Sequence, residues 1–395
     1  MLHTVMQAGK SSPPSNPFRF GALALDEAFA DRESELRDLK ADVRNGQDVV
    51  IFAPRRYGKS SLVWRAMQEL ARSRVLVAYV NLMTAPTKVK LAEKLAGAIY
   101  EGIASPLTRA RDRAVAPFRG LRISPSINLD ADDGSLSFSF AVGRGQDDVD
   151  ATIERLLELP AELAAERGRR VALIFDEFQE VAGIDPALPK LMRTVFEQQP
   201  EVARVYLGSR RHMMERLFND ENEPFWRSAK RVELGVIDPE LFRPFIAARF
   251  KATRKGVDAE ALDLVAAATG GHPYATQELC YALWEQTPFD DVATVAHFEA
   301  ALEAVLRSEH AHFSLRWEEA SSVQRLVLGA LAAEPGRPLA GEYRTRHGLP
   351  SASSVQTALR ALGERELISR RADGEYQLAE PFLAGWIAGN VRSDA

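Results

Sequence analysis

A short apolar strand, VVIF at residues 49–52, runs directly into a turn that carries glycine and lysine. The turn is APRRYGKSS at 53–61, and an apolar-periodic helix follows over 62–70. In a strand, turn and helix of this kind, consecutive backbone N–H groups and the positive end of the helix dipole converge on one anion. The sequence therefore predicts a phosphate-binding loop here, the Walker A arrangement.

The residues of this loop have different predicted roles. Gly58 permits a close backbone approach, and Lys59 bridges the β- and γ-phosphates of a nucleotide. The Ser60 hydroxyl is a predicted Mg²⁺ ligand, and Ser61 is placed to reach the α-phosphate. The first glycine of the usual pattern is Ala53, which costs about 1 kcal/mol if φ is positive there. The candidate nucleotide-binding residues are Ala53, Pro54, Arg55, Arg56, Tyr57, Gly58, Lys59, Ser60 and Ser61.

Two carboxylates end a later apolar strand, VALIF at 171–175. Asp176 and Glu177 follow it, and adjacent side chains at a strand end point in different directions. We expect Asp176 to hold Mg²⁺ through water, and Glu177 to orient and deprotonate an attacking water. Read alone, the pair also fits two helix-capping acids, but the upstream loop favours a metal site. The predicted ligands are ATP or ADP with Mg²⁺.

Further apolar strands at 75–82 and 205–208 alternate with helical stretches. Strands without polar alternation indicate a parallel sheet covered on both faces, hence a three-layer α/β core. Between them, residues 121–142 show two alternating runs around a turn, which predicts a β-hairpin. The hairpin is either an insertion packed on the edge of the core or a ribbon that docks a partner.

The composition is that of a globular protein, with 46% hydrophobic and 27% charged residues. Lysine and arginine total 50 against 55 aspartate and glutamate, a net charge of −5, so any nucleic-acid contact must be local. The single cysteine, Cys280, excludes an intrachain disulfide and fits a reducing cytoplasm. No apolar run approaches the roughly 18 residues that cross a membrane. We therefore expect a cytoplasmic protein without a membrane partner.

The pattern predicts four segments. Residues 1–17 are rich in breakers and form a flexible leader, and 18–245 form the α/β core with the hairpin insertion at 121–142. Residues 246–308 form a helical lid. Residues 309–395 contain two helices and a two-stranded ribbon, which is typical of a winged helix.

With both motifs in view, the chain resembles the AAA+-related (ASCE) P-loop ATPases of the archaeal-ATPase and STAND (NLR-like) groups, over about residues 18–390. The resemblance includes FADRESE at 29–35 before the first strand, and DEFQ at 176–179. It implies that Arg32 and neighbouring backbone contact the adenine base. Taken alone, such an Asp-Arg-Glu is a helix cap with solvated charge.

The resemblance extends to two further motifs. LGSRR at 207–211 occupies the sensor 1 position, which implies that Ser209 and Arg210 respond to the γ-phosphate. Which of the two arginines points inward stays open, as does a reading of both as solvated charges. GGHP at 270–273 is similar to the motif in STAND lids where a proline, here Pro273, packs on adenine. By itself it is only a helix break.

Two partner questions also stay open. Arg227 lies where relatives have an exposed arginine at a subunit edge, so it is either an arginine finger in a nucleotide-dependent oligomer or ordinary surface charge. The winged helix binds DNA through Ser353, Ser354, Gln356 and Arg360, or serves an intramolecular or protein-docking role. From Arg316 onward, ten arginines balance ten acidic residues, so the module has no clear surplus of positive charge.

The sequence favours an ATP-binding and ATP-hydrolysing molecular switch, in which the nucleotide state controls how the helical lid and the winged helix pack. The catalytic candidates are Lys59, Glu177, Ser209 and Arg210. Two alternatives share the same binding residues: a DNA-binding regulator that uses nucleotide as a structural ligand, and a non-catalytic scaffold that retains ADP.

Overall fold

The computed structural model describes residues 14–21, 29–30, 32–104, 116–121, 126–129, 136–139, 146–371 and 373–391. The chain divides into two compact units. The core unit contains residues 32–235, and the helical unit contains the residues before 32 and after 235. Within the described ranges, no helix combines the length and the apolar character needed to cross a membrane.

The core unit is built on five parallel strands. They are β1 (Val49–Phe52), β2 (Leu76–Asn81), β5 (Val171–Asp176), β6 (Val202–Gly208) and β7 (Lys230–Glu233). Their order is β2-β5-β6-β1-β7, so β6 separates β1 from β5. Strands β1, β5 and β6 are buried at every position, which means that both faces of the sheet are covered. The predicted three-layer P-loop core is confirmed.

Helices fill the connections of the core unit, as parallel pairing requires. They are α1 (Glu33–Arg44), α2 (Lys59–Arg72), α3 (Lys88–Ile99), α4 (Gln146–Arg167), α5 (Val181–Ile184), α6 (Leu188–Phe196) and α7 (Arg211–Asn219). A π-helical turn, Tyr100–Ala104, follows α3, and its Gly102 is pressed against β2. A Cβ atom on Gly102 would lie 1.9 Å from the carbonyl oxygen of Val77, so only glycine fits there.

The predicted hairpin is present as β3 (Ser126–Leu129) paired antiparallel with β4 (Leu136–Ser139). Its turn lies outside the described residues. Phe138 on β4 is buried in the apolar core of this unit, with its ring 5.0 Å from that of Phe118. This packing agrees with an insertion held on the core.

After residue 235, the helical unit begins with α8 (Pro239–Ala252). It continues with β8 (Gly256–Val257), α9 (Ala259–Thr269), α10 (Pro273–Gln286), β9 (Val292–Ala293) and α11 (Val295–Glu318). The described residues 14–21 pack here as well, because Phe18 is buried with its ring 5.5 Å from that of Phe250. Asn16, in the predicted leader, donates hydrogen bonds to the Tyr281 carbonyl and the Glu285 carboxylate. Residues 1–13 of the leader lie outside the described residues.

The C-terminal part of this unit is a winged helix. It comprises α12 (Ser322–Ala333), α13 (Gly341–Arg346), α14 (Ala352–Glu364), β10 (Ile368–Arg370), β11 (Tyr376–Leu378) and α15 (Pro381–Asn390), with β10 and β11 antiparallel. Helix α11 runs without a break through residue 308, and the compact core unit ends at Gly235. The domain limits placed at 245 and 308 from sequence stay predictions.

Candidate nucleotide-binding site

The Walker A loop connects β1 to α2, which begins at Lys59. The backbone has positive φ at Arg56 (67°) and Gly58 (81°) but not at Ala53, so the missing first glycine brings no strain of that kind. A Cβ on Gly58 would meet only the Arg32 Nε, at 3.9 Å, so glycine is needed there for its dihedral angle rather than for space. Arg55 and Arg56 are exposed at the tip of the loop.

Lys59 is buried and folds back on its own loop. Its Nζ donates to the carbonyl oxygens of Ala53 (2.7 Å) and Pro54 (2.8 Å). The next two residues, Ser60 and Ser61, lie in the first turn of α2. The lysine charge also acts on Asp176, where it opposes the rise of the carboxyl pKa. The structure therefore brings the lysine of β1–α2 close to the acid at the end of β5.

Asp176 is a buried carboxylate with both oxygens hydrogen-bonded. Oδ1 accepts from the backbone N–H of Glu177 at 2.9 Å, and Oδ2 accepts from the Tyr79 hydroxyl. Burial is the largest cause of the raised pKa of Asp176. A serine hydroxyl from Ser60 and this carboxylate are hard oxygen donors, the ligand type that Mg²⁺ prefers, so the residues present fit that ion.

Glu177 follows with a left-handed backbone, φ 52°. Its Oε2 accepts hydrogen bonds from the Ser209 hydroxyl at 2.8 Å and from the Gln179 side-chain amide. Ser209 comes from the end of β6, which lies next to β5. Gly208 leaves room for the neighbouring side chains, because a Cβ there would lie 2.3 Å from Cγ of Met214 and 2.7 Å from Oε1 of Gln179. The predicted water-activating acid and the predicted phosphate sensor are thus in direct contact.

The two arginines after Ser209 differ in their partners. The Arg210 Nη1 lies 3.6 Å from the Glu180 carboxylate, with 44% of the side chain exposed. Arg211 forms ion pairs with Glu215 at 2.8 Å and Glu233 at 3.3 Å. Arg210 therefore has the longer ion-pair distance of the two arginines. Its role at the γ-phosphate stays a prediction.

Arg32 is a buried guanidinium behind the Walker A loop. It donates to the carbonyl oxygens of Tyr57 (3.0 Å) and Gly235 (2.7 Å), and to the Glu35 carboxylate (3.1 Å). Burial lowers the pKa of Arg32, and Glu35 opposes that shift. Sequence reasoning placed Arg32 at the adenine base, which stays a prediction; it did not foresee that Arg32 would hold the loop itself.

Sequence reasoning also missed Tyr79. On β2, Tyr79 pairs with Ile174 and Asn81 pairs with Asp176, which brings the phenol beside the carboxylate. Its ring lies 5.7 Å from that of Trp64 on α2. Burial and the Asp176 carboxylate raise the pKa of Tyr79, so the hydroxyl keeps its proton and donates it in the hydrogen bond. Only the strand register, which the sequence does not reveal, identifies this residue.

Pro273 and Arg227 lie apart from these residues along the chain. Pro273 is the first residue of α10 in the helical unit, where a Cβ on Gly271 would lie 1.9 Å from the Ile237 carbonyl oxygen. Arg227, in the core unit, has φ 50° and lies 5.2 Å from the ring of Trp226, which is 44% exposed. The adenine contact and the arginine finger stay predictions.

In this parallel sheet, the Walker A strand β1 and the acidic strand β5 lie on either side of β6. Together with the lysine of the Walker A loop and the Asp-Glu pair after β5, this order defines an AAA+-related P-loop ATPase. A protein-family model, described as an ATPase domain predominantly from Archaea, matches residues 29–279. The chain belongs to that family. A second model, of a winged helix domain, matches residues 311–389. Nucleotide binding follows from the family.

Solved structures show the same fold. A Walker-type ATPase of Pyrococcus abyssi is 18% identical, with a TM-score of 0.61 over 92% of this chain and 97% of that one. The ORC2 protein of Aeropyrum pernix, in ADPNP and ADP complexes, is 14% identical, with a TM-score of 0.54 over 95% of this chain and 99% of that one. No similarity to a curated protein was found.

Proposed function

We propose that the protein binds ATP with Mg²⁺ at the Walker A loop and hydrolyses it. The observation that carries this proposal is the convergence of Lys59, Asp176, Glu177 and Ser209 at the C-terminal ends of β1, β5 and β6. Ligands of open α/β sheets bind outside these strand ends. The parts needed to hold a triphosphate and to activate water therefore lie at one edge.

The residues divide the work as follows. Backbone N–H groups of residues 53–61 and the Lys59 ammonium bind the phosphates, and the ammonium exchanges its two carbonyl partners for phosphate oxygens. Ser60 and Asp176 would hold Mg²⁺, which when bound neutralises charge on the β- and γ-phosphates. Glu177 orients the attacking water and accepts its proton as the general base.

The Ser209–Glu177 hydrogen bond supports a switch. While the Ser209 hydroxyl donates to the Glu177 Oε2, that oxygen is occupied. A γ-phosphate that attracts Ser209 removes one of the two donors on this oxygen, the other being the Gln179 amide, and so opens the carboxylate to the attacking water. A ligand shifts a conformational equilibrium only through such differential contacts.

We further propose that this state passes from the core unit to the helical unit and changes how the lid and the winged helix pack. The chain leaves the core unit at 31/32 and at 235/236. Arg32 stands at the first crossing and binds the carbonyl of Gly235 at the second, as well as the Tyr57 carbonyl in the Walker A loop. Movement of the loop thus acts directly on both crossings.

The test compares four variants by ATP titration and phosphate release. Lys59→Ala loses tight ATP binding, and Glu177→Gln binds ATP but loses turnover by a factor of about 10² or more. The control variants Lys94→Ala and Glu201→Gln remove an exposed lysine and an exposed glutamate outside the site. Both retain ATP binding and turnover. Undiminished turnover in Glu177→Gln rules out its role as water activator. ADP that survives purification and does not exchange supports the scaffold instead.

A DNA-binding role for the winged helix is favoured by one observation. Ser353, Ser354, Gln356 and Arg360 on α14 are all exposed, while Val355 on the same helix is buried. The helix therefore presents a polar face, although Arg346 on α13 is already paired with Glu334 and Glu342. Fluorescence anisotropy with duplex DNA tests it: Arg360→Ala weakens binding and flattens its salt dependence if α14 contacts DNA.

A further inference from the structure

The core unit has a cavity of about 430 Å³ at the N-terminal ends of the strands of its sheet. It is lined by Arg44 at the end of α1, by Ser73 and Arg74 in the turn before β2, and by Arg169 and Arg170 in the turn before β5. Because the strands are parallel, this end of the sheet is opposite to the Walker A loop. The cavity is therefore separate from the nucleotide site.

The cavity concentrates positive charge without a matching acid. Among the described residues, none of its four arginines has a carboxylate within ion-pair distance, whereas arginines elsewhere in the core unit, such as Arg155 and Arg216, are paired. Arginines near helix C-termini are often explained by the helix dipole. That explanation covers Arg44 in the last turn of α1, and it also contributes at Arg74 and Arg169, which lie two residues beyond the ends of α2 and α4; Arg170 lies directly before β5.

Backbone contacts hold two of these side chains in place. The Arg169 Nε donates to the Arg74 carbonyl oxygen at 2.9 Å, and the Arg170 Nη1 donates to the Pro200 carbonyl oxygen at 3.1 Å. Gly46 makes room for the second contact, since a Cβ there would lie 2.6 Å from Arg170 Nη1. Each guanidinium has five N–H donors, so donors remain for a ligand.

The geometry points to a binding site for a small polyanion with adjacent phosphate groups, such as the oligophosphate part of a nucleotide. Guanidinium groups match phosphate geometry through paired hydrogen bonds. A volume of about 430 Å³ is in the range of small-molecule sites, and a cleft of one charge sign focuses its field on the ligand. A compact oligophosphate places several charges in that volume, whereas a nucleic-acid strand carries one charge per roughly 3.4 Å.

Isothermal titration calorimetry with inorganic tripolyphosphate at low salt tests this site. The protein carries Lys59→Ala, which weakens the Walker A loop, so that the remaining binding reports the arginine cavity. We expect one site whose affinity falls at least tenfold in Arg44→Gln/Arg74→Gln. Arg37→Gln, which removes a 74% exposed charge from the same helix as Arg44, is the matched control and leaves the affinity unchanged.

Two results would overturn the site: no binding by the Lys59→Ala protein, or equal affinity in the double variant and the control. If the glutamine double variant unfolds, Arg44→Lys/Arg74→Lys takes its place; it keeps the charge and is expected to retain most of the affinity, and loss of binding by this variant in its folded state would also overturn the site. Tighter binding of a single-stranded oligonucleotide, lost in the double variant, would replace the compact ligand by a nucleic-acid strand. None of these outcomes depends on ATP hydrolysis.

Discussion

Replacement of Arg32 by alanine is expected to destabilise the core unit and to loosen the Walker A loop at the same time. The guanidinium is 4% exposed and serves two backbone carbonyls, those of Tyr57 and Gly235. A hydrogen bond to a charged group contributes about 1.5–3 kcal/mol, so the two losses amount to about 3–6 kcal/mol. Relief from burying the charge offsets part of this, leaving about 2–4 kcal/mol. For a unit of roughly 200 residues, the corresponding Tm shift is about 4–16 °C.

Urea unfolding monitored by circular dichroism measures the stability. Titrations with ATP and with inorganic tripolyphosphate, both in the Arg44→Gln/Arg74→Gln background that removes the proposed second polyphosphate site, separate two roles of Arg32. If Arg32 holds the loop, both ligands lose affinity; if it acts only at the adenine base, ATP alone does. Arg37→Ala, at an exposed position of α1, the helix that Arg32 precedes, is the control. Arg32→Lys keeps the positive charge but lacks the forked guanidinium group. Its stability and ligand affinities are therefore expected to lie between those of the wild type and Arg32→Ala. A loss below about 1 kcal/mol with unchanged tripolyphosphate affinity would refute the bracing role.

Two further predictions concern the core unit. Asp176→Asn is expected to stabilise the nucleotide-free protein at neutral pH, because burial raises the pKa of Asp176 and the ionised form is disfavoured in the fold. Wild type therefore loses this contribution as pH rises from the ordinary carboxyl pKa through the raised value, and the variant does not; parallel pH–stability profiles would contradict this. Gly102→Ala is expected to lower stability by more than about 2 kcal/mol, since its Cβ would meet the Val77 carbonyl. Gly97→Ala, with open space on α3, should instead stabilise by about 0.5–1 kcal/mol in the same urea titration.

Sequence reasoning recovered four of the five strands and missed β7 at one edge of the sheet. The apolar runs that became β1, β5 and β6 were visible because they are buried at every position, and β2 is buried at alternate positions, whereas β7, KRVE at Lys230–Glu233, is largely exposed and polar. Its position beside β1 depends on pairing with a strand about 180 residues earlier in the chain. The arginine cavity was likewise beyond the reach of local sequence patterns, since nothing local shows that the turns before β2 and β5 share a cavity with Arg44.

The sequence by itself determined the P-loop class, the acidic pair and the winged helix, because each is encoded in a short stretch whose backbone chemistry or periodicity is local. Only the tertiary structure determined which side-chain contacts hold the Walker A loop and the acidic pair in place. The Tyr79–Asp176 and Ser209–Glu177 contacts arise from the order and register of parallel strands, and the contact of Arg32 with Gly235 joins residues 203 positions apart. Such contacts follow from where the folded chain brings distant segments together, which no single stretch of sequence specifies.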